Sequence, residues 1–256
     1  MWSVRVLKRD SFGRVEELSR STPEGLQRLI RRVACGGSLP LSRRVARLLA
    51  QRERRALEAL CGLEGVPSLA RSLEAELAVA GECVVLRSFC EGTPLHRCEL
   101  LPIDFFERLE ELVRELHARG VAHNDLHKEQ NIVVGPDGRP SLIDFQLASV
   151  HGLGSRALAV RVRDDLRHIA KHRRRYLRFT RVVDVAPPRE WLDNPPRAPR
   201  RRGAALVWRK TAKPLYNFLT RSILRRRDGE ERRVLAGPWP CWSPACGPRS
   251  QRMSSR

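Results

Sequence analysis

The sequence predicts an α+β fold, and three observations carry that expectation. Near the start, Trp2, Val4, Val6 and Lys8 alternate along one face, the period of a strand. Later, two short apolar runs, Asn131–Val134 and Ser141–Asp144, flank Gly-Pro-Asp-Gly-Arg-Pro, the composition of a hairpin turn. Between them lie two amphipathic stretches with helical spacing, over 42–62 and 104–119.

Taken in order, Trp2 to Lys8 reads as a strand whose last residue either snorkels outward or points into a site. Cys35-Gly-Gly-Ser38 reads as a turn. The helix over 42–62 closes at Gly62, with Val45, Leu48, Leu49, Ala56, Leu57 and Leu60 as its apolar stripe. Glu53 falls inside that stripe and Glu58 outside it. An inward carboxylate requires a cation, unless Glu53 merely sits at the helix edge beside its arginine neighbours. Residues 82–87 form a strand, and the helix over 104–119 presents Phe105, Leu109, Leu112, Val113 and Leu116 on one side. Gly120 ends that helix and leads into Val121–Ala148.

This last stretch concentrates the chemistry. A turn centred on Asp137-Gly138 pairs Asn131 with Asp144 across the hairpin. An amide oxygen beside a carboxylate makes hard ligands suited to Mg²⁺. Asp125 enters the same end from a loop, six residues before Asn131.

His123-Asn-Asp125 resembles the His-x-Asp catalytic loop of the protein-kinase-like superfamily, and Asp144-Phe-Gln146 resembles its Asp-Phe-Gly segment. The likeness is nearest to small bacterial RIO-type and lipopolysaccharide-kinase-like serine/threonine kinases. It covers about residues 4–180 and is most specific over 121–148. It implies a two-lobed fold with a reduced N-terminal lobe over 1–92, without a recognisable Gly-rich loop and without the first two strands. A C-terminal lobe with a basic helical extension would follow over 93–235, and a disordered tail over 236–256.

The resemblance also implies roles. Asp125 would accept the substrate hydroxyl proton, with Lys128 beside it, while Asn131 and Asp144 hold Mg²⁺ on the phosphates of ATP. His123 and Phe145 would be internal props. The family's lysine on the third strand would be Lys8, the only lysine before Lys128, paired with Glu53. Phe89 to Leu95 resembles the hinge that meets the adenine. Asp164 or Asp165, on a helix over 156–180, would cap the catalytic loop. The chain departs from the family in spacing, since Gln130 holds the usual place of the metal-binding Asn; Gln130 therefore rivals Asn131. His127 stands where protein kinases carry Lys, and Gln146 where they carry Gly.

The implied activity is Mg-ATP-dependent transfer to a hydroxyl, in the first place of protein Ser/Thr. The alternatives are a lipid-linked sugar such as lipopolysaccharide core, or an inactive nucleotide-binding scaffold. His168 and His172, four apart, read as a solvated basic face rather than a metal site.

Charge divides the chain. Residues 1–149 hold 22 Lys/Arg against 21 Asp/Glu, whereas 150–256 hold 27 against 8. Such a half attracts polyanions, an anionic membrane surface among them, although no specific nucleic-acid motif is present. Only five of the 49 basic residues are Lys, which fits a coding bias toward Arg equally well. Pro187–Arg202 reads as a linker and Leu206–Arg227 as a basic amphipathic helix. Seven irregularly spaced cysteines and the absence of a signal-like run predict a cytoplasmic chain that can rest on the inner membrane face.

Overall fold

The computed structural model describes residues 1–10, 12–36, 41–98 and 100–179, with side chains at 10 and 177–179 excepted. Among the described residues the fold is mixed α+β, with antiparallel sheets and three α-helices. The expected linker after Pro187, the basic helix after Leu206, the tail from 236 and most of the basic half lie outside the described residues.

A four-stranded sheet comes first, in the order β1 (Ser3–Asp10), β2 (Gly13–Thr22), β3 (Gly25–Ala34) and β4 (Cys83–Ser88). Three strands therefore precede the first helix, and the expectation that two of them are missing is corrected. Their polar composition hid them: β2 and β3 carry Arg and Glu where a half-buried strand usually alternates apolar residues. Those charges form ion pairs within and between the strands. Glu16 lies 2.6 Å from Arg14 and 2.7 Å from Arg31 on one face. Glu17 meets Arg5 and Arg28 on the other.

One face of the sheet buries Leu18, Leu29 and Leu86 against Leu77 and Leu73. On the opposite face, Ala34 and Val85 meet Ala46 and Ala50 of α1 (Ser42–Ala59). The inward face of α1 is Ala46, Ala50, Glu53, Ala56 and Leu57, continued by Leu60. Val45 and Leu48, placed in the stripe by the sequence, are exposed. The small alanines let the helix approach the strands closely, and Glu53 turns inward as expected.

The chain leaves the sheet through Phe89–Gly92 and enters β5 (Thr93–Pro94), which pairs with β7 (Ile132–Val134). At Gly92, φ is 135° and an added Cβ would lie 2.2 Å from the Val134 carbonyl oxygen, so only glycine fits. Beyond it, the largest apolar cluster joins the end of α1, α2 (Phe105–Ala118), the hairpin β7–β8 (Pro140–Leu142) and α3 (Arg156–Phe179). The predicted face of α2 is the buried one. The small strands β6 (Val121–Ala122) and β9 (Ser149–Val150) pair on either side of the candidate site. Among the described residues no helix is long and apolar enough to cross a membrane.

Candidate functional site

The hairpin register differs by one residue from the expected one. Ile132 pairs with Leu142 and Val134 with Pro140. The Gly135 N–H donates to Arg139 O, closing a three-residue loop with Gly138 at φ 78°. The extra left-handed position is what shifts the register. Asn131 therefore lies opposite Ile143, whose N–H donates to the Asn131 carbonyl at 3.0 Å. Asp144 follows immediately, with φ 66° turning the backbone back toward the site.

Packing and hydrogen bonds hold the loop from His123 to Asn131 from beneath. His123 is buried, its ring 4.7 Å from that of Phe145, so both sit internally as expected. Its Nδ1 accepts from the Asp125 N–H at 3.3 Å, which leaves Nε2 to donate to Ile143 O at 3.0 Å. Asp165 of α3 accepts from the His123 N–H at 2.9 Å and the Asn124 N–H at 3.0 Å. Of the two expected caps, then, Asp165 is the one; Asp164 pairs with Arg167 instead. The Asn124 amide donates to Leu147 O at 2.8 Å, tying the loop to the segment after Phe145.

Asp125 is buried at the centre of this loop. The Asn131 amide donates to its carbonyl at 3.1 Å and to its carboxylate at 3.0 Å. Lys128 Nζ lies 3.0 Å from one carboxylate oxygen and His127 Nδ1 3.0 Å from the other. Burial opposes ionisation, but the His127 hydrogen bond and the Lys128 charge outweigh it and hold the carboxyl below its ordinary range. Asp125 is thus a carboxylate at neutral pH. Asn131 is buried and joined to Asp125, whereas Gln130 is half-buried one position earlier.

Asp144, partly exposed, accepts from Gln146 at 2.5 Å and lies 3.9 Å from Arg32 Nη1. Arg32 leads to Glu53. It sits on β3 with Nη1 3.5 Å from Glu53 Oε2, while Arg87 Nε on β4 lies 3.0 Å from Oε1. These are ion-pair distances without hydrogen-bond alignment, since neither Glu53 oxygen has a hydrogen-bond donor among the described residues. The pairing expected between Lys8 and Glu53 is corrected. Lys8 is exposed on the edge strand β1, opposite Val15, which in turn faces Arg32. Two strand spacings put Lys8 about 10 Å from the strand that carries Arg32. A bulge between Val6 and Lys8 also breaks the alternation read from the sequence.

Several residues of the site were not foreseen. Glu129 is fully buried, with Arg175 at 2.8 Å, Tyr176 Oη donating at 2.8 Å and His172 Nδ1 at 3.4 Å. Burial opposes its ionisation, yet the His172 and Tyr176 contacts hold its carboxyl below the usual range. His172 is buried and its Nε2 lies 2.8 Å from Leu126 O, so it supports the loop instead of lying on a solvated face. The signal for Arg32 was present, since an inward glutamate requires a cation that arginine supplies as well as lysine.

Among the described residues no group of three His, Cys, Asp or Glu could cage a metal ion. The available donors are the Asp144 carboxylate and the Asn131 amide oxygen, beside Asp125. That oxygen set suits a Mg²⁺ ion that takes its remaining ligands from phosphates and water. No family model matches the chain, and no curated protein matches it in sequence.

Proposed function

We propose that the protein is a Mg-ATP-dependent phosphotransferase with a two-lobed kinase-like fold, acting on a hydroxyl acceptor. The observation that carries the reading is an ionised, buried Asp125 bonded by the Asn131 amide, with Asp144 following the residue that pairs with Asn131 across the hairpin. The Arg32–Glu53 pair reaching Asp144 from the sheet supports the same reading.

Asn131 and Asp144 would hold Mg²⁺, which neutralises the phosphate charge when bound. Arg32 takes the phosphate-binding role that the resemblance implied for Lys8. Asp125 accepts the proton of the acceptor hydroxyl as its oxygen bonds to the γ-phosphorus. The bond from that phosphorus to the β,γ-bridging oxygen breaks, and ADP leaves with the electron pair. Lys128 neutralises charge beside Asp125 and orients the transferred group. A Ser/Thr hydroxyl of a protein is the acceptor that the resemblance names first. A sugar hydroxyl on an anionic lipid is the alternative, favoured by His127 beside Asp125.

Titration of ATP with and without Mg²⁺ tests the reading. Asn131→Ala should weaken Mg-dependent binding more than Gln130→Ala does. The reverse ranking would give the metal to Gln130, and ATP binding indifferent to Mg²⁺ in the parent would overturn the proposal.

A further inference from the structure

Along α3, every seventh residue touches the loop that holds Asp125. Arg161 Nη1 donates to Asn124 Oδ1 at 3.1 Å, the His168 ring centre lies 5.8 Å from that of His127, and Arg175 pairs with Glu129 at 2.8 Å. A spacing of seven returns to one flank of a helix after two turns, so these residues form a rail about 20 Å long beside the loop. At its far end Arg175 is matched by a buried carboxylate. Arg161 is not: it is exposed, its partner is a neutral amide, and no carboxylate pairs with it among the described residues. Asn124, which anchors it, is the residue before Asp125. A guanidinium that keeps its charge and is fixed one residue from the proposed base is placed to hold an oxyanion on the acceptor side.

We infer that Arg161, held on Asn124 beside Asp125, forms an oxyanion subsite, and that the acceptor is a compact polyol carrying its own phosphate a few bonds from the reacting hydroxyl; His127, and His168 whose Nε2 accepts from Arg167 at 3.2 Å, lie along the rail as reporters of its occupancy. The inference rests on the phosphotransferase reading for its acceptor role. Compactness follows from the anchoring, because an anion at Arg161 and a hydroxyl at Asp125 are separated by adjacent loop residues. Free phosphorylated sugars and phosphate-bearing lipid headgroups share this chemistry.

The test uses the full chain in two measurements. In the first, inorganic phosphate is titrated against the imidazole NMR resonances of His127 and His168, with chloride as control. A saturable shift is expected, about tenfold weaker in Arg161→Ala, the size of one lost charge-assisted hydrogen bond. The control Arg156→Ala, a change to an exposed cation elsewhere on α3, should leave it intact. No saturable shift, or equal shifts in parent and Arg161→Ala, would overturn the subsite.

In the second, labelled ATP is offered with inositol, inositol 1-phosphate, phosphatidylinositol vesicles and a phosphoserine peptide. Preference for inositol 1-phosphate over inositol, reduced about tenfold by Arg161→Ala, supports the acceptor assignment; the vesicle arm separates a lipid source from a free one. Preference for the peptide, or for inositol, would overturn it while leaving the kinase reading in place. Phosphate-dependent shifts without transfer to any acceptor would overturn the phosphotransferase reading and, with it, the acceptor role of the site.

Discussion

Glu53 and Asp125 are both buried acidic side chains flanked by two basic ones, yet they are built in opposite ways. The partners of Glu53, Arg32 and Arg87, come from two neighbouring strands and their side chains are only 8% exposed. Those of Asp125, His127 and Lys128, come from its own loop and are 41% and 38% exposed. Around Glu53 the charges are distant in sequence and sealed from water, so they fix a helix against a sheet. Around Asp125 the basic side chains are local and wet, so they can turn toward a substrate at little cost. One carboxylate holds structure in place; the other holds charge ready to be shared.

The largest effect that could break this contrast is on stability. Glu53→Ala leaves two buried guanidinium groups without a counter-charge and should cost about 3–5 kcal/mol in a denaturant titration. A loss under 1 kcal/mol would mean that water or other groups already solvate Arg32 and Arg87. Asp125→Asn should instead keep the fold and Mg-ATP binding while lowering transfer by about 10²–10⁴-fold, the range for a general base. Equal transfer rates in parent and variant would end the base assignment.

Asp165→Ala sharpens the contrast from beneath. It strips two loop N–H groups of their acceptor, with an expected cost of about 1–3 kcal/mol. Amide exchange at His123 and Asn124 should accelerate before exchange across the four-stranded sheet does. A smaller effect appears in the pH dependence of stability. Asp125 and Glu129 both have folded-state pKa values below their ordinary ones. The unfolded chain therefore binds more protons over that interval, and stability rises with pH there. Their contribution is complete above the unfolded values, near 4, and is lost as pH falls through the folded ones. Glu129→Gln should flatten the acid limb of a stability–pH curve; an unchanged limb would contradict this. Smallest of all, Lys8→Met should alter stability by less than about 0.5 kcal/mol and leave Mg-ATP affinity unchanged.

What the sequence revealed and concealed follows the same physical division. The two central helices, the strand before Phe89 and the hairpin were legible because apolar periodicity marked them. Asp125, Asn131 and Asp144 were legible because their spacing fell on that hairpin, even though the register was one residue off. Strands β2 and β3 were concealed because the ion-paired Glu16, Glu17, Arg28 and Arg31 interrupt their apolar residues and read as surface. Arg32 vanished with them, and Lys8 was put in its place. The Glu129 cluster was equally silent, for its partners His172, Arg175 and Tyr176 lie more than 40 residues away.

Gly92 has a consequence for the join between the four-stranded sheet and the hairpin β7–β8. With room for no side chain against Val134, backbone presses on backbone at the start of β5. The junction there is a welded seam, and any flexing between the sheet and the hairpin must be taken up before it, across Phe89–Glu91. Phe89 is itself gripped by Arg28, whose guanidinium carbon lies 3.6 Å from the ring centre. The pivot therefore spans barely three residues and has a clasp at one end. A methyl group at position 92 acts as a wedge. In Gly92→Ala, small-angle scattering should register a wider, looser particle, and an unchanged radius of gyration would show that the seam yields.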